Sequence, residues 1–378
     1  MIIGVPREIK SGEFRVSLTP DGAARLVAAG HQVIVEKDAG AAVGMPDEAY
    51  RKAGATIVGD IAAAYARAEM VLKVKEILPP EYDLLKEHHT LFTYIHSANH
   101  HEETQVLLDA KLVAIAYEDV MTDDGNFPLL VPMSEIAGEV GMLMGVYHSF
   151  ATSGGSGLLI GGMPGVEPAK VVILGAGHVG IGAARCALGL GAEVTIVDIN
   201  VDRLRELRHG IFPNAFMKTL YSSRENITRI LPEVDILVNA VKWTPGLTLV
   251  SREMLGLMRR DSLIVDIDCE PRGAIETCRY TTHDEPIVEI DGIRHYCVPN
   301  LPSAVARTAS CALSNATLPY VLEIANKGWL EAIKSNRALR RGLGFGRGYL
   351  TFKPTAIAQN RPHTPVEEVI KMFDRPPV

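Results

Sequence analysis

The stretch VVILGAGHVGIGAARCALGLGAEVTIVD, residues 171–198, decides the fold class. An apolar run, Val171 to Leu174, leads directly into Gly175-Ala176-Gly177-His178-Val179-Gly180, a G-x-G-x-x-G. The glycines open an apolar helical pattern, VGIGAARCALGL (179–190), and a second apolar run, EVTIVD (193–198), closes on Asp198. In a chain with 34 glycines the glycine pattern alone is weak. Strand, glycines, helix and an acid about 20 residues on, in that order, read as a dinucleotide-binding βαβ unit. Gly175 permits the tight turn, Gly177 lets backbone approach a pyrophosphate, and Gly180 lets the helix pack close to the sheet. The helix N-terminus offers unsatisfied N–H groups and a partial positive charge to phosphate. Asp198 accepts hydrogen bonds from both ribose hydroxyls and repels a 2′-phosphate, which favours NAD over NADP. Arg203 leaves two readings open, a flank for the adenosine or a contact to a 2′-phosphate.

Working outward, DILVNA (235–240) and SLIVDID (262–268) continue the alternation of strand and helix. Residues 129–150, LLVPMSEIAGEVGMLMGVYHSF, read as one long helix after Pro132. Up to about residue 125 a separate alternation runs through IIGVP (2–6), QVIVE (32–36), ATIV (55–58), MVLKV (70–74), LFTYI (91–95) and LVAIAY (112–117). Its first helix opens at Thr19-Pro20-Asp21 and ends at Gly30, with a cap, an early proline and a terminal glycine. From about residue 306 the chain returns to helix, and the four prolines of 359–378 predict an irregular tail. The pattern predicts an α/β protein of two doubly wound parallel-sheet (Rossmann-like) domains, joined by long helices, with a ligand cleft between them.

Composition narrows the function. The 378 residues predict two or three domains, and 47% hydrophobic with 22% charged residues is a globular balance. Thirty-eight Lys and Arg against 45 Asp and Glu give a net charge of −7, which argues against nucleic acid as a partner. No apolar run approaches the ~20 residues of a membrane helix. The N-terminus, MIIGVPREIKSGEFR, lacks the apolar core of a secretory signal. Cys186, Cys269, Cys278, Cys297 and Cys311 are scattered without a Cys-x-x-Cys, which reads as reduced thiols in a cytoplasmic protein.

Segments along nearly the whole chain carry a resemblance: GVPREIKSGEFRVSLTP (4–20), LKVKE (72–76), LFTYIH (91–96), PLLVPMSEIAGEVG (128–141), GGMPGVEPAKVVILGAG (161–177), TTHDEPIVEIDGIRHYCVPNLPSAVARTAS (281–310) and ALSNATLPYVLEIA (312–325). The sequence resembles the alanine dehydrogenases and, more distantly, the soluble NAD-binding part of proton-translocating transhydrogenases. The transhydrogenase reading is the weaker, because no membrane-spanning segment follows. The resemblance implies a discontinuous substrate domain, residues 1–128 plus 306–378, and an NAD domain of residues 129–305. It implies reversible oxidative deamination of L-alanine to pyruvate and ammonia with NAD, in a homo-oligomer, commonly a hexamer.

Such chemistry needs a cation for the carboxylate, a base for the amine proton and a hydride acceptor facing Cα. By resemblance, Arg15 and Lys75 bind substrate, although Lys73 points the same way along a strand and sequence does not choose between the two lysines. By resemblance His96 is the general acid/base, and Ser134, Gly175, Gly177, His178, Val179, Gly180, Asp198, Arg203 and Asn300 surround the cofactor. His96, His100 and His101 lie close together without an accompanying acid or thiol ligand set, so no metal is expected. Two departures stand out. The family's second catalytic aspartate aligns with Glu270, one methylene longer, beside Asp268, Pro271 and Arg272. Lys242 and Trp243 replace an apolar run. These keep open a second enzyme reading: an NAD-dependent dehydrogenase or reductase for a larger or more polar amino or keto acid, including opine-type condensation. A non-catalytic dinucleotide-binding regulator is a third reading, and Arg15, Lys75 and His96 argue against it.

Overall fold

The structure, a computed structural model, describes residues 1–213, 217–242, 244 and 246–374. The chain divides into two compact units, residues 1–133 with the chain from 305 onward, and residues 134–304. In the N-terminal segment the strands are β1 (Ile2–Val5), β2 (Gln32–Glu36), β3 (Thr56–Val58), β4 (Met70–Leu72), β5 (Thr90–Thr93) and β6 (Val113–Ala116). The second unit carries β7 (Lys170–Leu174), β8 (Glu193–Asp198), β9 (Met217–Tyr221), β10 (Ile236–Asn239), β11 (Leu263–Asp266), β12 (Ile287–Ile290) and β13 (Ile293–Tyr296). The C-terminal segment adds β14 (Leu343–Gly346) and β15 (Tyr349–Leu350).

In the first unit the sheet order is β15-β14-β6-β5-β4-β1-β2-β3. Strands β1 to β6 pair in parallel. Both faces are covered, so the central strands are continuous apolar runs rather than alternating ones. The first helix, Pro20–Ala28, starts as expected: the Thr19 side chain accepts the Gly22 N–H, and proline occupies the first turn.

The second unit's sheet runs β12-β13-β11-β10-β7-β8-β9. The helix Val131–Ser149 packs on the helix His178–Gly189 through glycine. A Cβ on Gly138 would lie 2.0 Å from the Val179 carbonyl oxygen, and one on Gly182 would lie 2.2 Å from that of Glu135. Apolar periodicity does not register this crossing, because the residues that make it have no side chain.

Both sheets are mixed rather than wholly parallel. β12 and β13 form an antiparallel hairpin, as do β14 and β15, and β14 also runs antiparallel to β6. Each hairpin closes over a two-residue turn with positive φ at both positions, Asp291-Gly292 (54°, 81°) and Arg347-Gly348 (52°, 89°). Such a turn matches the strand twist and leaves no room for a crossover helix.

The tail also differs from expectation. Residues Val366–Phe373 form a helix. Pro362 and Pro365 precede it, where a missing N–H costs nothing, and Val369 is fully buried against β14.

Candidate active site

β4 ends at Leu72, so strand alternation does not govern Lys73 and Lys75. Lys73 is fully buried, 2.8 Å from Glu81 and 3.3 Å from Glu8, and Tyr65 donates its hydroxyl to Glu81 at 2.8 Å. Burial disfavours an ammonium, but the two carboxylates outweigh it and hold the Lys73 pKa above the usual lysine value. Burial in turn raises the Glu8 pKa, against the pull of Lys73. Lys73 is thus an internal counter-ion. Lys75 is half-buried and makes no ion pair among the described residues. Burial, then the charges of Arg15 and Lys10, lower its pKa. Its backbone is fixed from both sides. Glu8 accepts the N–H groups of Val74 (2.6 Å) and Lys75 (3.4 Å), and the Thr93 hydroxyl donates to the Lys75 carbonyl (2.8 Å).

Arg15 is buried on the same side. Glu13 holds its guanidinium with two oxygens, Nε to Oε1 at 2.7 Å and Nη2 to Oε2 at 2.6 Å, while Nη1 lies 3.2 Å from the Met133 sulfur. This fork geometry fixes the plane of the cation. Glu13 carried no signal that distinguished it from a surface acid.

His96 lies three residues beyond β5, not at its end, and its backbone is left-handed, with φ of 51°. A non-glycine residue pays for that conformation. Glu118 supports it, accepting the N–H groups of Ile95 (3.0 Å) and His96. The same carboxylate stands 3.6 Å from His96 Nδ1, and the ring lies parallel to Tyr94 with centroids 6.0 Å apart. The ring keeps an exposed edge. Partial burial, with the Lys75 charge adding to it, lowers the imidazole pKa against the opposing pull of Glu118. His100 pairs instead with Glu103, at 3.3 Å. Arg15, Lys75 and His96 therefore share one region at the carboxyl ends of β4 and β5, where open α/β sheets bind ligands. Two cations beside an imidazole suit a substrate with a carboxylate next to an exchangeable proton.

In the second unit the glycines behave as their spacing requires. Gly175 has φ of 101°, and a Cβ there would meet the Ala240 carbonyl oxygen at 2.8 Å. A Cβ on Gly180 would lie 2.0 Å from the Gly175 carbonyl oxygen. A Cβ on Gly177 would meet nothing within 4 Å, so the surface before it is open. The helix His178–Gly189 has no side-chain cap, leaving its first N–H groups for an anion. Asp198 accepts the Ala176 N–H and the Asn200 N–H, each at 2.7 Å, tying the end of β8 to the glycine turn. Arg203 donates Nε to the Ala176 carbonyl at 3.0 Å and pairs with Glu206. Open glycine surface, uncapped helix and adjacent carboxylate fit a dinucleotide. Val179 and Ser134 are half-buried, the latter on the long helix. His178 lies 3.9 Å from Glu135. Asn300 has φ of 57° at the turn into Leu301–Val305.

The departures form one loop. Glu270 is half-buried, and burial first, then Glu270, raises the pKa of the neighbouring Tyr280 hydroxyl; Asp268 is exposed, and Arg272 is left-handed with φ of 60°. Below it, Asp266 is buried, accepts from Asn239 Nδ2 at 2.7 Å, and is pushed up to about 7 by burial. Lys242 is exposed, and Trp243 lies outside the described residues. Among the described residues no cluster of His, Cys, Asp or Glu is arranged to hold a metal, and no helix is long and apolar enough to cross a membrane.

The sequence matches the family models for the alanine dehydrogenase/PNT N-terminal domain over residues 4–137 and the alanine dehydrogenase/PNT C-terminal domain over residues 141–353. It is 47% identical to an alanine dehydrogenase of Methanococcus maripaludis over 98% of this chain and all of that one. It is 46% identical to the Bacillus subtilis alanine dehydrogenase over 98% of both chains. A solved L-alanine dehydrogenase structure superposes with a TM-score of 0.90 at 44% identity, covering 95% of this chain and 99% of the other. A transhydrogenase from Sinorhizobium meliloti, 21% identical, shares the fold with a TM-score of 0.77 over 93% of this chain and 99% of its own. The two family-model matches and the full-length similarity converge, and the chain belongs to the alanine dehydrogenase/PNT family.

Proposed function

We propose that this protein is an NAD-dependent alanine dehydrogenase, which oxidises L-alanine to pyruvate and ammonia and runs the reaction in reverse. The observation that carries the reading is the grouping of Arg15, Lys75 and His96 at the ends of β4 and β5. Arg15 and Lys75 hold the substrate carboxylate. Arg15, its plane set by Glu13, supplies direction, and Lys75, lacking an acid of its own, supplies charge. His96 in its neutral form takes a proton from the substrate amine and releases it to solvent, then takes a proton from the water that attacks the imine and returns it to the departing amine. Glu270, beside the Tyr280 hydroxyl, is the second catalytic carboxylate. NAD supplies the hydride acceptor. Gly175, Gly177 and Gly180, with the N–H groups of His178 and Val179, hold its pyrophosphate; Asp198 takes the ribose hydroxyls and Arg203 flanks the adenosine. Ser134 and Asn300 complete the cofactor contacts. The enzyme is cytoplasmic and a homo-oligomer, a hexamer by family resemblance.

Absorbance of NADH with L-alanine as substrate tests this directly. Wild-type turnover is expected, with His96→Ala reduced roughly 10²–10⁴-fold at little change in NAD affinity. Wild-type-like turnover in that variant removes His96 from the mechanism. The Glu270–Tyr280 contact favours one second reading, a preference for a larger or more polar amino or keto acid. A longer carboxylate beside the exposed Asp268 changes the shape and charge that a substrate side chain meets. Comparing L-alanine with longer amino acids decides it, and efficient alanine turnover with the longer acids inert overturns the second reading.

A further inference from the structure

Three of the five cysteines, scattered in sequence, are gathered in space. Cys269 sits on the loop after β11, Cys278 lies nine residues later, and Cys297 follows β13 directly. β11 and β13 are parallel neighbours, Val265 opposite Tyr296, so Cys269 and Cys297 leave the same edge of the sheet on adjacent strands. Thr281 ties the intervening segment to Cys297 in both directions: its N–H donates to the Cys297 carbonyl at 3.2 Å, and its hydroxyl accepts the Cys297 N–H at 3.0 Å. All three thiols belong to one apolar cluster, and each perturbs the titration of the other two. Nothing in the dehydrogenase chemistry uses them.

We infer that Cys269 and Cys297 form an oxidation site, which a hydroperoxide converts to a disulfide, and that the bridge alters the loop carrying Glu270. Cys278 is the less suited partner, because it lies along the connecting loop away from both strand ends, and burial raises its thiol pKa. The neighbouring thiols, Cys269 first and then Cys278, favour the thiolate of Cys297 and hold its pKa down to about 5. Cys269, 8% exposed, is the member of the trio nearest solvent. The thiolate attacks one oxygen of hydrogen peroxide, forming a sulfenic acid and releasing hydroxide, which takes up a proton. The second thiol attacks the sulfenic sulfur, the S–S bond forms, and a second water leaves. Two thiols lose two hydrogens in all, and one peroxide is reduced to two waters. Two sulfurs must draw to about 2 Å to bond, closer than any non-bonded contact allows. Cys269 then pulls on its neighbour Glu270, where a displacement of about 1 Å is enough to cost two orders of magnitude in rate. The effect on turnover rests on the dehydrogenase reading; the bridge itself does not.

Treatment of the full-length protein with hydrogen peroxide, followed by peptide mapping without reductant, tests the site. The expected map links Cys269 to Cys297, and dithiothreitol removes the link. L-Alanine turnover is expected to fall roughly 10-fold or more and to return with dithiothreitol. Cys297→Ser abolishes the link and keeps its turnover under peroxide; Cys269→Ser gives the same protection if the deeper substitution does not fold. Oxidation confined to the exposed Cys311, or a link made through Cys278, overturns the assignment. A Cys269–Cys297 link that leaves turnover at the untreated level overturns the control of the loop. If untreated protein does not turn over L-alanine, the dehydrogenase reading fails, while the peptide map still decides the bridge.

Discussion

Glu118 grips His96 twice, accepting its backbone N–H and standing 3.6 Å from its Nδ1. The first contact supports a left-handed backbone and the second orients the ring. Partial burial already lowers the imidazole pKa, and Glu118 is the main opposing charge. The base form of His96 therefore persists to more acidic pH than an ordinary histidine, so the acid limb of kcat/KM for alanine oxidation falls below pH ~6.5. Glu118→Gln removes the opposing charge and moves that limb further down in pH. It also lowers kcat by roughly 10-fold through lost orientation. A pH–rate profile for the two proteins checks both effects, and an upward shift of the limb in the variant contradicts the assignment.

Lys73 and Lys75 have opposite fates on substitution. Lys73→Ala leaves Glu8 and Glu81 buried without a cation, and breaking such a pair costs about 3–5 kcal/mol. Lys75→Ala removes no ion pair, so stability is expected to change by less than about 0.5 kcal/mol while turnover drops by at least ~100-fold. Urea unfolding alongside NADH-coupled rates distinguishes the two lysines.

Gly177 and Gly180 are likewise separable. A methyl at 180 collides with the Gly175 carbonyl, so Gly180→Ala distorts the turn and is expected to cost about 1–3 kcal/mol. A methyl at 177 has room in the protein itself. Gly177→Ala is expected to melt within a few degrees of wild type yet bind NADH at least ~10-fold more weakly, since the methyl stands where the pyrophosphate must come. Thermal melts and NADH fluorescence titration give the comparison; unchanged NADH affinity in Gly177→Ala places the pyrophosphate elsewhere.

The glycine turn of 175–180 and the parallel strands around it were legible because their signals are local. Periodicity, a cap at Thr19 and a glycine at each tight approach are written within a few residues of one another. Two antiparallel hairpins were also written locally, in Asp291-Gly292 and Arg347-Gly348, but the short strands beside them are too ordinary to draw notice. The resemblance marked Arg15, Lys75 and His96, and only the fold separated Lys75 from Lys73, because strand β4 ends before both and a buried pair of acids claims one of them. Glu13 and Glu118 had no sequence signal as partners of Arg15 and His96: a carboxylate becomes an orienting group through what stands within hydrogen-bonding distance of it. The cysteines show the same limit. Their spacing along the chain reads as scatter, and the parallel pairing of β11 with β13 brings Cys269 and Cys297 together. Local patterns are set by neighbours in sequence; ion pairs, clustered thiols and buried counter-ions are set by neighbours in space, and only the folded chain determines those.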